Sequence, residues 1–190
     1  MAYNAIVIGA SAGGLNALQV ILAPLPANFP LPILIVQHRF PTADDLMTFA
    51  LNESCRLTVK EADEKDYIEP GHVYVAPPNY HILVERDRTI SLSADAKVCY
   101  SRPSIDVLFE SAADVYLSYL IGVILTGANH DGTAGLKKIK QNGGMTLAQD
   151  PTTAEAEMMP LSAIRANVID QVLSLNEISS LLVLLGKKAA

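Results

Sequence analysis

The feature that most limits what this chain can become is an alternation repeated along most of its length: short runs dense in β-branched residues separated by stretches of helical length. Such alternation builds βαβ units around a parallel sheet, whose strands, covered on both faces, read as unbroken apolar runs. Ala5-Ile6-Val7-Ile8-Gly9 is the first such strand, and residues 32–37, Pro-Ile-Leu-Ile-Val-Gln, are the second. Between them, residues 15–25 place Leu15, Leu18, Leu22 and Leu25 on one helical face until Pro24 and Pro26 stop the helix. Further helices are expected over 43–54, 104–119, 133–141, 160–166 and 175–185, and further strands over 121–125, 145–148 and 168–173. Gly143-Gly144 supplies a helix stop, Asn176 a cap for the last helix, and Lys187 and Lys188 suit that helix's C-terminal dipole. Residues 57–59, 72–76, 81–84 and 89–92 are strands with turn signals at Gly71, Pro77-Pro78-Asn79 and Asp87-Arg88. Without crossover helices between them, this middle reads as a hairpin or meander, antiparallel in part, forming a flap at the sheet edge. The expected fold is a three-layer α/β domain spanning 1–190, with a mainly parallel, doubly wound sheet, helices on both faces and an antiparallel hairpin region in the middle of the chain.

Composition narrows the functional classes. Half the residues are apolar and only 18% are charged, which excludes disorder and coiled coil. Fourteen basic against 20 acidic residues leave a net charge of −6, the wrong sign for neutralising nucleic-acid phosphates. Two cysteines, Cys55 and Cys99, without a Cys-x-x-Cys or His/Cys cluster, support neither a disulfide scaffold nor a metal framework, and suit a cytoplasmic protein. Met1-Ala2-Tyr3-Asn4 is not a basic leader, and no apolar run reaches the roughly 18 residues of a membrane span, so neither export nor membrane insertion is expected.

In an open α/β sheet, ligands gather beyond the carboxyl ends of the strands. Three polar groups stand at such places. Ser11 lies in Gly9-Ala10-Ser11-Ala12-Gly13-Gly14 after the first strand, His38 ends Val36-Gln37-His38, and Asp131 follows a later strand in Thr126-Gly127-Ala128-Asn129-His130-Asp131-Gly132. A hydroxyl, an imidazole and a carboxylate are the parts of a hydrolytic triad, with Ser11 as nucleophile, His38 as base and Asp131 fixing its tautomer. Each has a plainer alternative: Ser11 as a helix cap, His38 as a structural histidine, Asp131 as a turn or cap residue. His130 competes as base, whereas His72, His81 and the two cysteines lack a catalytic setting. Gly9-x-Ser11-x-Gly13 fits a nucleophile elbow, but the Ser, His, Asp order departs from α/β-hydrolases. A serine replaces the second glycine of a dinucleotide loop, and no Walker-type lysine follows; phosphate binding at the helix start stays open as a competing reading.

With those segments in place, the chain resembles the catalytic domain of the CheB-type chemotaxis protein-glutamate methylesterases. The likeness extends to Gly71-His72-Val73-Tyr74-Val75-Ala76-Pro77-Pro78 with His81, Arg102-Pro103-Ser104-Ile105-Asp106-Val107-Leu108-Phe109, Leu125-Thr126-Gly127, Ala148-Gln149-Asp150 and Met159-Pro160. The resemblance implies a Ser11-His38-Asp131 triad, backbone oxyanion donors at Ala12 and Ala128, and a substrate cleft touching Gly13 and Met159. It also implies cleavage of glutamate γ-methyl esters on receptor signalling domains, with glutamine deamidation as a further reaction, and neither cofactor nor metal. Partners would be methylated receptors and a separate response-regulator or kinase protein, since the receiver domain usual in the family is not expected in a chain whose first strand starts at Ala5. Phosphorylation control within this polypeptide is therefore not expected. The usual Gly-Met-Gly loop reads Gly127-Ala128-Asn129, Ala12 replaces a common hydroxyl residue, and Met158 a common glycine at the cleft rim. Those changes leave a non-catalytic signalling or ligand-binding module as the alternative.

Overall fold

A computed structural model describes residues 3–39 and 46–189. Among them, the strands are β1 (Ala5–Ala10), β2 (Ile33–Gln37), β3 (Thr58–Glu61), β4 (His72–Val75), β5 (His81–Val84), β6 (Ile90–Ser93), β7 (Leu120–Ile124), β8 (Met145–Gln149) and β9 (Gln171–Leu173). The helices are α1 (Gly14–Leu22), α2 (Leu46–Ser54), α3 (Ile105–Tyr116), α4 (Thr133–Gln141), α5 (Met158–Arg165) and α6 (Leu175–Ala189). Seven strands form one parallel sheet in the order β3-β4-β2-β1-β7-β8-β9, and β5 and β6 form a separate antiparallel hairpin.

The unbroken apolarity of β1 has its cause in this layering. Ile6, Ile8 and Ala10 pack in one core with Leu18, Ile21 and Leu22 of α1, Leu51 of α2, and Ile178 and Leu182 of α6. Ala5 and Val7 point the other way, into a second core with Leu108, Phe109 and Ala112 of α3, Leu136 and Ile139 of α4, and Ala163 of α5. Alternate residues of one strand thus serve two cores, so every position is apolar. Strand β1 leaves through α1 on one face toward β2, whereas β7 leaves through α4 on the other toward β8. That divergence puts the ends of β2, β1 and β7 side by side at a topological switch point.

The middle of the chain corrects part of the expectation. The β5–β6 pair is an antiparallel hairpin, with His81 opposite Ser93 and Val84 opposite Ile90. In contrast, β3 and β4 are parallel members of the main sheet, Thr58 opposite His72 and Glu61 opposite Val75. Residues 62–71 need only run back along a four-residue strand, roughly 13 Å at 3.3 Å per residue, so a crossover without a helix suffices. Tyr67 anchors that connection through a bridge to Thr89 and by accepting the Tyr74 hydroxyl on its carbonyl.

The other differences are at element ends. The helix expected over 104–119 ends at Tyr116 and continues as a 3-10 turn, Leu117–Tyr119. The last helix starts at Leu175 and is capped by Ser174, not Asn176: Glu177 Oε2 accepts from the Ser174 N–H at 2.9 Å, and Ser174 Oγ from the Glu177 N–H at 3.4 Å. Residues 43–45 of the expected second helix lie outside the described residues.

Helices α3 and α4 approach closely because Gly135 has no side chain. A Cβ there would stand 2.3 Å from Phe109 Cβ and 3.3 Å from the Asp106 carbonyl oxygen. Alanine is the better helix former by about 1 kcal/mol, but overpacking two such contacts costs about 1–3 kcal/mol. Gly135→Ala is therefore expected to lower the urea unfolding midpoint; an unchanged or raised midpoint would show that the interface yields.

Candidate active site

Ser11, His38 and Asp131 leave three neighbouring strands, and the parallel hydrogen-bond ladder runs past the strand ends to hold them. The Ser11 N–H donates to Thr126 O at 2.9 Å, and the His38 N–H to Ala10 O at 3.1 Å. Gln37 ties two of the exits together, its side-chain amide donating to Ser11 O at 2.8 Å and to His38 O at 3.1 Å. Gly14 makes room for this clamp, since a Cβ there would lie 1.9 Å from Gln37 Oε1. On the other flank, Gln149 Oε1 accepts the Thr126 N–H, and Thr126 Oγ1 donates to Ala12 O and accepts from Ala156 N.

Asp131 is buried, and each carboxylate oxygen accepts two hydrogen bonds. Oδ2 takes His38 Nε2–H at 2.8 Å and the Ile105 N–H at 2.7 Å; Oδ1 takes the Ser104 hydroxyl at 2.8 Å and the Asp106 N–H at 3.0 Å. Asp131 therefore caps α3 from another element while orienting His38, so the cap and triad readings are both satisfied, although the capped helix is α3 and not the adjacent α4. Burial alone would raise its pKa. The bond from His38, helped by the Asp106 and Ile105 amides, outweighs this and holds the carboxyl below its ordinary value.

His38 is nearly buried, and Asn129 Nδ2 stands 3.5 Å from its Nδ1. Donation from Asn129 to Nδ1 and from Nε2–H to Asp131 assigns the neutral tautomer with its lone pair on Nδ1. Ser11, Ala12, His38 and Arg39 line one cleft of about 400 Å³. The Ser11 hydroxyl makes no hydrogen bond among the described residues, so it neither caps α1, whose N-cap is Gly13, nor is yet bonded to His38. No acceptor among the described residues engages the N–H groups of Ala12 and Ala128.

The remaining expected residues fall differently. Gly13, at φ +75°, lies beside Glu155, whose Cβ would be 2.7 Å from a glycine Cβ, and lines a neighbouring depression with Thr126. Met159, expected on the cleft, is fully buried: its Sδ occupies the space where a Gly127 Cβ would stand, 1.9 Å away, so it props the loop from beneath. Met158 is the half-exposed member of that pair. His130 is exposed and points to no partner among the described residues. His81 is buried, accepting the Ser104 N–H on Nδ1 and donating Nε2–H to Ala96 O, and so fixes the residue that leads into α3. Sequence reasoning gave no role to Ser104, His81 or Asn129. Only the Ser-Ile-Asp helix start at 104–106 carried a local hint.

Cys99, Asp106 and Asp131 bring three ligand-type atoms within 4.8 Å of one another. Both Asp131 oxygens are already doubly engaged, and the Cys99 thiol is pushed up to about 11 by burial and by the Asp131 and Asp106 charges. The Cys55 thiol is raised by burial as well, so neither cysteine offers a thiolate at neutral pH.

Known proteins share the sequence pattern and the fold. The family model for CheB methylesterase matches residues 6–182, and the chain belongs to that family. A Leptospira interrogans protein, provisionally named a protein-glutamate methylesterase/protein-glutamine glutaminase, is 56% identical over 187 residues, covering 98% of this chain and 97% of that protein. Proteins named protein-glutamate methylesterase/protein-glutamine glutaminase from Paraburkholderia xenovorans and Methanosarcina acetivorans are 42% and 40% identical over 92% and 93% of the chain, which spans about half of each. The crystal structure of the Thermotoga maritima CheB methylesterase catalytic domain superposes with a TM-score of 0.93 at 37% identity, covering 97% of this chain and 100% of that one. These likenesses lend no support to the non-catalytic alternative.

Burial, with the Asp131 and Glu110 charges and against the Gly135 amide, raises the Asp106 carboxyl to about 6. Its folded value lies above the unfolded value of about 4. Its stabilising contribution is thus complete below pH 4 and is lost as pH rises through 6. Asp131 has the opposite sign, contributing at neutral pH and failing only as acid protonates it. Asp106→Asn, which keeps an acceptor for the Gly135 N–H, is expected to raise the urea midpoint at pH 8 and leave it near the parent value at pH 4; a loss at pH 8 would show that the ionised carboxylate stabilises.

Proposed function

We propose that this protein is a serine-dependent protein-glutamate methylesterase that also deamidates glutamine side chains, with residues 3–189 acting as one catalytic unit. The observation that carries this reading is the buried Asp131 holding His38 by Nε2, which leaves Nδ1 without a carboxylate partner among the described residues, while His38 and the unengaged Ser11 hydroxyl belong to residues lining one cleft. The substrates would be γ-methyl esters of glutamates on the cytoplasmic signalling domains of chemotaxis receptors. No helix among the described residues is long and apolar enough to cross a membrane.

The arrangement supports the following steps. Ser11 Oγ attacks the ester carbonyl while His38 Nδ1 takes its proton, and Asp131 stabilises the imidazolium that results. The negative oxygen of the tetrahedral intermediate accepts hydrogen bonds from the N–H groups of Ala12 and Ala128. Collapse expels methanol, which takes the proton from His38, or ammonia when the substrate is an amide. Water then attacks the acyl-Ser11 carbonyl while His38 takes its proton, the bond to Ser11 Oγ breaks with that proton returned from His38 to Ser11, and the receptor acid leaves and ionises to the carboxylate. Substrate-free hydrolases commonly hold such contacts long and tighten them on binding, so the long Asn129 contact at Nδ1 is one the Ser11 hydroxyl displaces. Neither the Ala128 nor the Ala12 substitution removes a backbone donor.

Ser11→Ala is expected to abolish methanol release from a methylated receptor fragment with an unchanged thermal midpoint; undiminished release would remove Ser11 from the mechanism. Asp131→Asn, which leaves a group of the same shape but favours the wrong tautomer, is expected to lower kcat by about 10⁴. His38→Ala should lose as much as Ser11→Ala, because the residues act as a unit.

A further inference from the structure

Beyond the scissile centre, a second cleft of about 220 Å³ continues from His38 and Arg39 along a wall made by Lys97, Tyr100, Ser101, Arg102 and Pro103. The chain is acidic overall, yet among the described residues this lining carries three cations and no carboxylate. Arg39 is paired with Glu61. Arg102 spends its donors on neutral oxygens: Nη1 on the carbonyls of Ala94 and Asp95, Nε and Nη2 on Asn79 Oδ1. Its charge is therefore positioned but not cancelled. Lys97 is exposed and has no ion-pair partner among the described residues, and the nearby Asp95 carboxylate bridges neither cation.

The turn that carries this wall is held in an unfavourable conformation. Val98 and Ser101 exchange backbone hydrogen bonds at 3.1 and 2.9 Å, and both residues between them are left-handed, Cys99 at φ 49° and Tyr100 at φ 61°. Two successive positive φ angles suit Asn-Gly; for Cys-Tyr each costs about 1 kcal/mol or more. Strain of this kind persists where the surroundings enforce it, and it clusters at ligand clamps. Here Cys99 is tethered toward Asp106, and the outcome is Tyr100 standing 94% exposed at the lip of the cleft.

We propose that this cleft is the subsite for the polypeptide flanking the esterified glutamate, and that it selects segments carrying additional carboxylates. Lys97 and Arg102 supply the charge, and Tyr100 supplies an aromatic surface with few rotatable bonds. The proposal rests on the esterase reading of Ser11 and names its substrate class more closely. It has a directional consequence. On a segment carrying two such esters, each is neutral before hydrolysis and an anion after it, so one cleavage makes the other site a better substrate.

The test compares two synthetic peptides, each with one glutamyl γ-methyl ester, flanked by Glu in one and by Gln in the other. Wild-type kcat/KM for methanol release is expected to favour the Glu-flanked peptide about fivefold at low salt, with the gap closing as salt screens the charges. Lys97→Glu, a surface change, should abolish or invert the preference. Tyr100→Gly, which suits the positive φ and keeps the turn, should raise KM for both peptides. A wild type indifferent to the flanking charge, or a preference that survives Lys97→Glu, would overturn the subsite; an unaltered KM would remove Tyr100 from it. Turnover of p-nitrophenyl acetate by the wild type and its loss in Ser11→Ala report on the esterase reading separately. Should that reading fail, fluorescence anisotropy of the two peptides with the wild-type protein still decides: tighter binding of the Glu-flanked peptide supports the subsite, and equal binding overturns it.

Discussion

The Asp131 carboxylate is the constraint on which the site depends. Withdrawing a charge from water costs several kcal/mol unless it is paired and hydrogen-bonded. Here the cost is offset by two amides at the start of α3, the Ser104 hydroxyl and His38, which together occupy both oxygens. One group thus closes the end of a helix and sets the orientation of an imidazole. This requires the first turn of α3 to come within hydrogen-bond reach of the β7 exit, and glycine makes that approach possible. A Cβ on Gly9 would lie 2.4 Å from Ile105 Cγ2, and one on Gly132 2.8 Å from the same atom. Ile105 fills the gap, and its own N–H reaches Asp131 Oδ2. Packing and chemistry are therefore coupled through one residue pair.

Much of this could be read from the sequence because it is written in local pattern. The buried parallel strands show as unbroken apolar runs, and Ser11, His38 and Asp131 each follow one of them. What could not be read depends on contacts between distant segments. Thr58–Glu61 and His72–Val75 look like hairpin strands in isolation, and nothing local says that 62–71 returns them to the sheet in parallel. Ser104 and Asn129 acquire roles only when the loops after β6 and β7 converge on Asp131 and His38, and His81, at the start of β5, only by holding Ser104. Met159 is expected on the cleft but lies buried beneath the loop, since no pattern reveals that a sulfur fills the space beneath Gly127. The Ser174 cap, in contrast, was available: Glu177 three residues later completes a capping box that a preference for Asn176 overlooked.

The charge distribution has the same division of labour. Near the reacting centre, among the described residues, the Asp131 charge is buried and hydrogen-bonded by His38, and Arg39 is paired with Glu61. Farther along the cleft, Lys97 and Arg102 leave positive charge unbalanced on a strained turn. On the proposed mechanism the first arrangement serves proton transfer, and on the proposed subsite the second serves the choice of polypeptide.

The most direct measurement of the central claim is peptide mapping by mass spectrometry after exposure to a serine-directed phosphonate. If Asp131 and His38 activate Ser11, the wild-type protein gains one adduct, located on Ser11, and His38→Ala gains none. An unmodified Ser11 in the wild type, or labelling of Ser11 that persists without His38, would contradict the account.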